Sequence, residues 1–208
     1  MDRSVKLRTL LFIVLLIGFR LGFRSDIAAA NNEKPLEHVF RTAPRDDAGA
    51  VTAFREMLPV LRHPRCMNCH STGDFPRQGD DGHPHAMNVR RGADGNGVTS
   101  QKCSTCHQEI NLAGLNMPPG APSWHLPPTN MPMIWQGLTD AQICQQLKNP
   151  QQNGNRSVDQ IVEHMAADRL VGWGWDPGEG RTPIPISRET FASRARAWAA
   201  KGAACPAS

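Results

Sequence analysis

The sequence contains no tyrosine, few other aromatic residues and, after its first 30 residues, no long apolar run. Of its 208 residues, five are Trp and seven are Phe, and hydrophobic residues make up 39%. The apolar run from Leu10 to Phe19 is short for a bilayer span, so a multi-span membrane protein is excluded. Gly and Pro number 18 and 17 without a repeat, which excludes a collagen-like chain. Ordinary side-chain burial therefore supplies only part of the core.

The sequence also lacks a strong net charge and the common catalytic motifs. Lys and Arg number 23 against 19 Asp and Glu, but residues 1–30 hold five of the former and two of the latter, which leaves 18 against 17, or +1. This balance gives no support to a nucleic-acid partner. A phosphate-binding P-loop and a Ser/His/Asp order are both absent, and Gly178-Glu179-Gly180 lacks the strand and helix of a dinucleotide site.

Residues 1–30 have the pattern of a secretory signal peptide. A positively charged start precedes the apolar run, and three alanines at positions 28–30 form an A-x-A cleavage site. We therefore predict export to the periplasm, with cleavage after Ala30. Two arginines that follow the apolar run are unusual for a cleaved signal, so an uncleaved segment with weak membrane association is the alternative.

Two pentapeptides of the form C-x-x-C-H lie in the middle of the chain. The first motif contains Cys66, Cys69 and His70, and the second motif contains Cys103, Cys106 and His107. This pattern is the signature of covalent c-type haem attachment. Two thiols at this spacing reach the two vinyl groups of one porphyrin edge, and the following His becomes an axial ligand of the iron. We therefore predict two covalently bound haems c.

A zinc site built from the two C-x-x-C pairs is the main alternative. The two pairs are separated by 33 residues, each is followed directly by a His, and the predicted export makes a cytosolic zinc module less expected. A thioredoxin-like redox pair would require a βαβ pattern around the motif, and neither motif has one. The haem interpretation is therefore favoured.

In these two motifs, residues 63–107 resemble the bacterial dihaem c-type cytochromes. The segment from Pro118 to Pro206 is similar to the tail of small exported dihaem proteins described as cytochrome partners of isoquinoline 1-oxidoreductase-type molybdenum hydroxylases. The chain departs from the dihaem cytochrome c peroxidases, which are longer and carry their motifs in separate domains. The short distance between the motifs leaves no room for two full haem domains, so both haems are expected to share one interior.

Each iron needs a sixth ligand, whose identity decides between electron transfer and the binding of small molecules. His85, in the loop between the motifs, and His125, in an extended segment stiffened by Pro127 and Pro128, are the favoured candidates. Met131, His63 and His164 are further candidates. Ligation by two His is favoured over a His/Met pair at each iron, and both stay open.

Each further candidate also has a simpler interpretation. His63 fits a solvated loop and His164 the surface of a helix. Met131 belongs to a Met-Pro segment that resembles the one carrying the distal sulfur in single-haem cytochromes, and Met117 and Met133 have similar surroundings. Any of these three methionines can instead pack against a porphyrin edge.

The remaining pattern predicts a mainly α fold, a small c-type cytochrome with long Pro/Gly-rich loops wrapped around two haems. Asp47 is expected to cap a first helix, which Pro59 bends or ends, and a second short helix from Ser100 is expected to carry the second motif. Residues 71–99 and 111–136 are predicted to be loops.

Three more helices are predicted in the C-terminal third. Thr139 and Ser157 each begin a capping box, and Ser187 opens a helix that ends before Gly202. We therefore expect one dihaem cytochrome c domain over residues 31–208. Its haem-binding part covers about 48–136 and its helical tail about 137–208.

Cys144 and Cys205 are the two cysteines that lie outside the predicted haem-attachment motifs. An oxidising compartment favours a disulfide between them. Closing a loop of about 60 residues in this way stabilises the fold by about 4 kcal/mol in the chain-entropy model. The bond would tie the C-terminal tail to the body of the protein.

An aromatic turn, Trp173-Gly174-Trp175, is followed by Arg181. One interpretation places a Trp against a porphyrin and Arg181 on a propionate, because a guanidinium matches a carboxylate in a bidentate way. The other is a packed turn with a surface arginine. Both stay open.

Together these features predict an exported dihaem cytochrome c that passes single electrons between a donor protein and an acceptor protein, without catalysis of its own. One alternative is a haem enzyme or gas sensor with one open iron site. The other is the electron-accepting cytochrome subunit of a molybdenum hydroxylase-type oxidoreductase.

Overall fold

The computed structural model describes residues 45–207, and the predicted signal peptide with its cleavage site lies outside them. The described part is mainly helical, as predicted, with six α-helices, three short 3-10 turns and four strands of two residues each. None of the helices in this part is long and apolar enough to span a membrane.

Helix α1 spans Asp47–Leu61, and one detail of its prediction was wrong. Asp46 rather than Asp47 is the N-cap, because its carboxylate Oδ1 accepts a hydrogen bond of 2.8 Å from the backbone N–H of Gly49. The helix continues through Pro59 to Leu61. Proline removes one backbone hydrogen bond, but the residues after it, Val60 and Leu61, are buried and hold the last turn.

Helix α2, Pro64–Met67, follows directly and contains the first cysteine of the first motif. Pro64 occupies the first helical position, where its missing N–H costs nothing. The side chain of His63 is the N-cap, since its Nδ1 accepts a hydrogen bond of 3.3 Å from the N–H of Arg65. This cap is the observed role of a residue that was a candidate iron ligand.

Two small antiparallel hairpins occupy the segment between the motifs. Strand β1, Arg77–Gln78, pairs with β2, His83–Pro84, and β3, Gly97–Val98, pairs with β4, Gln101–Lys102. The predicted helix from Ser100 was therefore wrong, because Ser100 lies in the turn between β3 and β4.

The second motif begins in the 3-10 turn Cys103–Thr105 instead of an α-helix. Gly97 explains the difference: its φ of +83° and the 2.4 Å that would separate a Cβ from the carbonyl oxygen of Gln101 both require glycine there. This close approach closes the hairpin and delivers the chain to the motif in extended form.

The remaining helices are α3, Asp140–Lys148; α4, Val158–Ala167; α5, Arg169–Gly172; and α6, Arg188–Ala200. Both predicted capping boxes are confirmed, from Thr139 to Gln142 and from Ser157 to Gln160. The predicted start of α6 is also confirmed, since the hydroxyl of Ser187 accepts a hydrogen bond of 3.1 Å from Thr190.

Helices α1, α3, α4 and α6 enclose one hydrophobic core. Phe54 of α1 lies against Trp198 of α6, with ring centroids 5.7 Å apart. Fully buried side chains from all four helices surround this pair: Met57, Leu61, Ile143, Leu147, Ile161, Phe191 and Ala195. The predicted haem-binding part and the helical tail thus share one core.

The predicted disulfide is confirmed: Cys144 of α3 is bonded to Cys205, with Cα atoms 5.6 Å apart. A second tie joins the ends of α1 and α6, where Asp46 forms an ion pair with Lys201 and the N–H of Asp46 donates to the carbonyl of Lys201 at 3.1 Å. The C-terminal segment is therefore held to the helical core at both places.

No helix or strand occurs between residues 107 and 139 of the described chain, as predicted for a wrapping segment. Its order comes from hydrogen bonds to distant residues. The N–H of Leu126 donates to the carbonyl of Gly95 at 2.9 Å, and that of Trp135 donates to the carbonyl of His70 at 2.8 Å. The segment thereby reaches both motifs.

Candidate functional site

The two motifs line two neighbouring cavities. The residues of the first motif line a cavity of about 300 Å³, here the first cavity. Those of the second motif, together with Cys69 of the first, line a cavity of about 950 Å³, here the second cavity. Both volumes lie in the range of about 300–1,000 Å³ that is typical of cavities for small molecules and cofactors.

Both motifs fold into the same backbone turn. In the first, the N–H groups of Cys69 and His70 donate to the carbonyl of Cys66 at 3.2 and 3.1 Å. In the second, the corresponding distances to the carbonyl of Cys103 are 3.2 and 2.9 Å. In each motif both cysteines and the His line one cavity, as covalent attachment of one porphyrin requires.

The imidazole of His70 is fixed by two contacts. Its Nδ1 donates a hydrogen bond of 2.8 Å to the carbonyl of Met133. Its ring stacks on the indole of Trp135, with centroids 3.7 Å apart and an interplanar angle of 7°. A carbonyl on Nδ1 selects the tautomer whose Nε2 is free to bind a metal, which is the usual arrangement of a metal-ligating His.

The imidazole of His107 repeats this arrangement with other partners. Its Nδ1 donates to the carbonyl of Pro119 at 2.7 Å, and its ring stacks on Trp124 with centroids 4.4 Å apart and parallel planes. Both motif histidines therefore present Nε2 to their cavities in the same chemical state.

The two accepting carbonyls belong to a short repeat. Met133 ends the tetrapeptide 130–133, Asn-Met-Pro-Met, and Pro119 ends the tetrapeptide 116–119, Asn-Met-Pro-Pro. The sequence had drawn attention to the methionines of these segments as iron ligands. Both repeats instead contact a motif histidine through the backbone carbonyl of the residue that follows the first proline. The repeated tetrapeptide was the sequence signal from which this contact could have been predicted.

Burial shifts the pKa values at the first motif. It lowers the pKa of His70 to about 4, so the imidazole is neutral at physiological pH, the form that binds metals. It also raises the pKa of Cys66 to about 12 and that of Cys69 to about 11. Thiols with raised pKa values lack the reactivity of a dithiol redox pair, which needs a lowered pKa.

His85 faces His107 across the second cavity. The two ring centroids are 6.1 Å apart, with an interplanar angle of 69°. The Nδ1 of His85 donates to the carbonyl of Ala86 at 2.7 Å, which again leaves Nε2 free. A metal held by two imidazoles at about 2 Å from each nitrogen separates their centroids by about 6 Å. The distance thus suits one iron between the two rings.

Three candidate ligands come together at the first cavity: His125, Met131 and His164. His164 lies in α4, with its Nδ1 3.3 Å from a carboxylate oxygen of Asp168. After burial, which is the main cause, the proximity of His164 also lowers the pKa of His70. His125 is more exposed, and its Nδ1 donates to the carbonyl of Ser123 at 2.5 Å.

Three further side chains, those of His63, His83 and Met117, either lie outside the two cavities or are exposed. His63 lines neither of the two cavities. His83 lines the second cavity but is exposed and lies 2.6 Å from the carboxylate of Asp81. Met117 is 41% exposed.

Arginines supply positive charge to the second cavity. Arg65, Arg77 and Arg181 all line it, and Arg181 donates to the carbonyl of Met117 at 2.7 Å. Arg65 is almost fully buried and pairs with Asp80. The Nε atoms of Arg65 and Arg77 are buried without a hydrogen-bond partner among residues 45–207.

Because an unpaired buried donor is costly, the Nε atoms of Arg65 and Arg77 could donate to an anionic group in this cavity. A carboxylate such as a porphyrin propionate has the right charge and geometry. Arg181 and Trp173 line the cavity, in agreement with the interpretation of the aromatic turn as part of the site. Nothing in the sequence had singled out Arg65 or Arg77.

A cluster of three or more His, Cys, Asp or Glu side chains that could hold a bare metal ion does not occur in the described part of the chain. The two C-x-x-C pairs therefore do not converge as the four ligands of a structural zinc ion would. A haem iron needs only two axial side chains from the protein, since the porphyrin supplies the other four ligands.

Comparisons of this chain with protein-family models, with curated proteins and with solved structures find no match.

Proposed function

We propose that this chain is a dihaem cytochrome c that carries single electrons between two redox proteins. The observation that carries the proposal is the repeated arrangement of its motifs: each C-x-x-C-H lines its own cavity, and each motif imidazole is held through Nδ1 with Nε2 free. Haem, when bound, supplies a reversible one-electron couple. Electron transfer of this kind requires no acid, base or nucleophile from the polypeptide.

His107 and His85 are the proposed axial ligands of the second site. Their support is the 6.1 Å between ring centroids and the carbonyl acceptors that hold both Nδ1 atoms. A pair of such fixed imidazoles keeps the coordination the same in both oxidation states, which favours electron transfer over ligand binding.

His70 and His164 are the proposed axial ligands of the first site. His164 lines the same cavity as His70, is less exposed than His125, which the sequence favoured, and contacts Asp168; these observations support the choice. A carboxylate on the second nitrogen of a ligating imidazole raises its basicity and fixes its orientation. His125 and Met131 line the same cavity and are the alternatives that the ligand experiment separates.

Arg65, Arg77 and Arg181 are proposed to bind the propionates of the second site. Their role is to neutralise and orient carboxylates that would otherwise carry negative charge into a partly buried cavity.

A haem enzyme or gas sensor is the second candidate, and one observation favours it. His85 precedes Met87 and Asn88, both in the left-handed region with φ of 64° and 54°. A ligand on such a loop can be released at lower cost than one on a helix. An open iron at the second site would then bind small molecules.

The haem count tests the proposed function. We expect the protein purified from the periplasm to give a haem stain after denaturing electrophoresis and a pyridine haemochrome ratio of two haems per chain. The paired Cys66→Ser/Cys69→Ser and Cys103→Ser/Cys106→Ser variants should each retain one. A ratio of one or zero in the unmodified protein contradicts the proposal.

The ligand assignment has a separate test in the purified holoprotein. We expect His85→Ala to convert one haem to a high-spin form that binds carbon monoxide when reduced, and His83→Ala, on the same hairpin, to leave both spectra unchanged. His164→Ala should convert the other haem. If His125→Ala or Met131→Ala does so instead, that residue is the ligand. Carbon monoxide binding by the unmodified protein would favour the enzyme or sensor.

Co-purification separates a free carrier from a cytochrome subunit. We propose periplasmic localisation from the signal-peptide pattern and the disulfide, and a molybdenum hydroxylase-type partner would be retained on the tagged protein from that compartment. A stable complex of fixed stoichiometry would identify a subunit, and a protein recovered alone a mobile carrier.

A further inference from the structure

The two cavities are separated by a wall of four residues that line both of them: Arg65, Cys69, Trp124 and Trp173. Arg65 and Cys69 belong to or border the first motif, which accounts for their place near it. Trp124 and Trp173 come from segments far apart in the sequence and belong to neither motif. The two indoles therefore form a partition that only the tertiary fold assembles.

The contacts in this partition are continuous from one motif to the other. The guanidinium of Arg65 lies over the ring of Trp173, 5.7 Å from its centroid. Trp173 meets Trp124 edge to face, with centroids 5.0 Å apart and planes at 80°. Trp124 then stacks on His107 at 4.4 Å with parallel planes. A displacement of Trp124 therefore changes the contacts of His107 at the second site and the wall of the first cavity.

Two other tryptophans provide a comparison within the same chain. Trp135 stacks on His70 but lines only the first cavity. Trp175 lines neither cavity; it packs against Phe191, and its Nε1 donates to the carbonyl of Ile186 at 2.7 Å. The three indoles thus differ in whether they contact both sites, one site or neither.

We propose that Trp124 is a positioning residue for both sites, so that the two sites are coupled through a shared indole instead of being independent. Its ring fixes the plane of the His107 imidazole and forms the face against which the group in the first cavity packs. This inference rests on the proposed function.

The physical basis is the arrangement of orbitals and packing around an iron. The orientation of an axial imidazole plane affects the magnetic and redox properties of the iron, and packing against the porphyrin sets the local polarity, which is a second lever on the potential. Removing Trp124 frees the plane of the His107 imidazole at the second site. At the first site it changes the packing, and with it the local polarity.

The experiment compares single tryptophan variants of the full holoprotein by electron paramagnetic resonance of the oxidised form and by the two midpoint potentials. We expect Trp124→Leu to shift the signals and the potentials of both haems. Trp135→Leu should shift those of the first site alone, and Trp175→Phe neither. The His85→Ala variant identifies which signals belong to the second site.

Trp124→Phe is the milder variant, to be used if the leucine variant does not accumulate. It keeps a stacking ring and should shift both sets of signals in the same direction by a smaller amount. The proposal is overturned if either variant shifts the second site alone or leaves both sites unchanged.

The haem ratio keeps this result apart from the proposed function. An unmodified protein with fewer than two haems refutes the dihaem cytochrome. Two haems with independent responses refute only the shared role of Trp124.

Discussion

The first site is built by helices, whereas the second is built by hairpins and loops. The first motif follows α1 directly, and its cavity is closed by side chains of α3, α4 and α6 such as Leu147, Met165 and Phe191. The second cavity is lined by β1, β2, β4 and the segment that ends near Leu126. The same pentapeptide is therefore supported by the hydrophobic core in one case and by local hydrogen bonds in the other.

Exposure follows the same division. Cys106 of the second motif is exposed, whereas the other three motif cysteines are half-buried. The exposed large apolar side chains of the described residues all come from segments near the second motif: Met87, Ile110, Leu112, Leu115 and Met117. The comparison teaches that the first site belongs to the folding core and the second to the surface.

The largest expected effect comes from removing the haem attachment of one site at a time. The first cavity, of about 300 Å³, is lined by core side chains, so losing the group that packs against them should cost a large part of the stability of a domain. Cys66→Ser/Cys69→Ser should therefore lower the melting temperature, measured by circular dichroism, much more than Cys103→Ser/Cys106→Ser does. Cys103→Ser/Cys106→Ser should retain the helical signal. Equal losses of stability in both variants would contradict the difference between the two sites.

Removing the disulfide is expected to have the next largest effect. Cys144→Ser/Cys205→Ser should lower the free energy of unfolding by about 4 kcal/mol, measured by urea denaturation, because the unfolded chain gains the entropy of a loop of 61 residues. Since Cys144 lies on α3 beside the first cavity, the spectrum of the first haem should change before that of the second as urea is added. Simultaneous changes would show that both sites unfold with the core.

Two leucines provide a matched pair for the same comparison. Leu147 is 1% exposed and lines the first cavity, whereas Leu115 is 71% exposed. We expect Leu147→Ala to lower the free energy of unfolding by about 3 kcal/mol and Leu115→Ala to change it by less than about 0.5 kcal/mol. Urea denaturation of both variants measures the difference. A similar loss for Leu115→Ala would show that the second site contributes to the core after all.

The smallest expected effect involves Asp80, which pairs with buried Arg65 at the edge of the second cavity. Its hydrogen bond from Thr182 is the largest cause that holds the pKa of the Asp80 carboxyl below its ordinary value of 3.8, and Arg65 adds to it. Because this carboxylate is partly exposed and Asn keeps an oxygen that can accept from Arg65, Asp80→Asn should cost only about 1 kcal/mol at neutral pH.

The pH dependence of this difference follows from the lowered pKa. A carboxyl with a lowered pKa in the folded state contributes stability at pH values above its ordinary pKa, and that contribution is lost as the pH falls through the lowered one. The gap in melting temperature between the unmodified protein and Asp80→Asn should therefore shrink as the pH falls below about 4. A gap that does not change with pH would assign the effect to packing.

The local features of the fold were predictable, and the errors occurred where distant residues decide. The capping boxes at Thr139 and Ser157 and the disulfide follow from short-range chemistry or from counting cysteines. The helix expected from Ser100 failed because Ser100 lies in the turn that joins two paired strands, β3 and β4, instead. The first helix continued past Pro59 because the residues after it are buried in the core.

The candidate site divides in the same way. Both C-x-x-C-H motifs were evident from their spacing, but the placement of the other histidines was not. His125 and His164 are 39 residues apart in the chain and line one cavity, and His63 caps a helix. Arg65 and Arg77 carried no sequence signal, because a buried guanidinium is recognised only by what surrounds it.

The sequence by itself determined the two C-x-x-C-H motifs, which supply the cysteines and the imidazole of each proposed site, and the mainly helical class, because these depend on residue types at fixed short spacings. Only the tertiary structure decided which histidine faces which motif, that Trp124 and Trp173 divide the two cavities, and that one site lies in the core and the other near the surface. These relations depend on the positions of loops that have no periodic sequence pattern. Packing between residues far apart in the chain determines those positions.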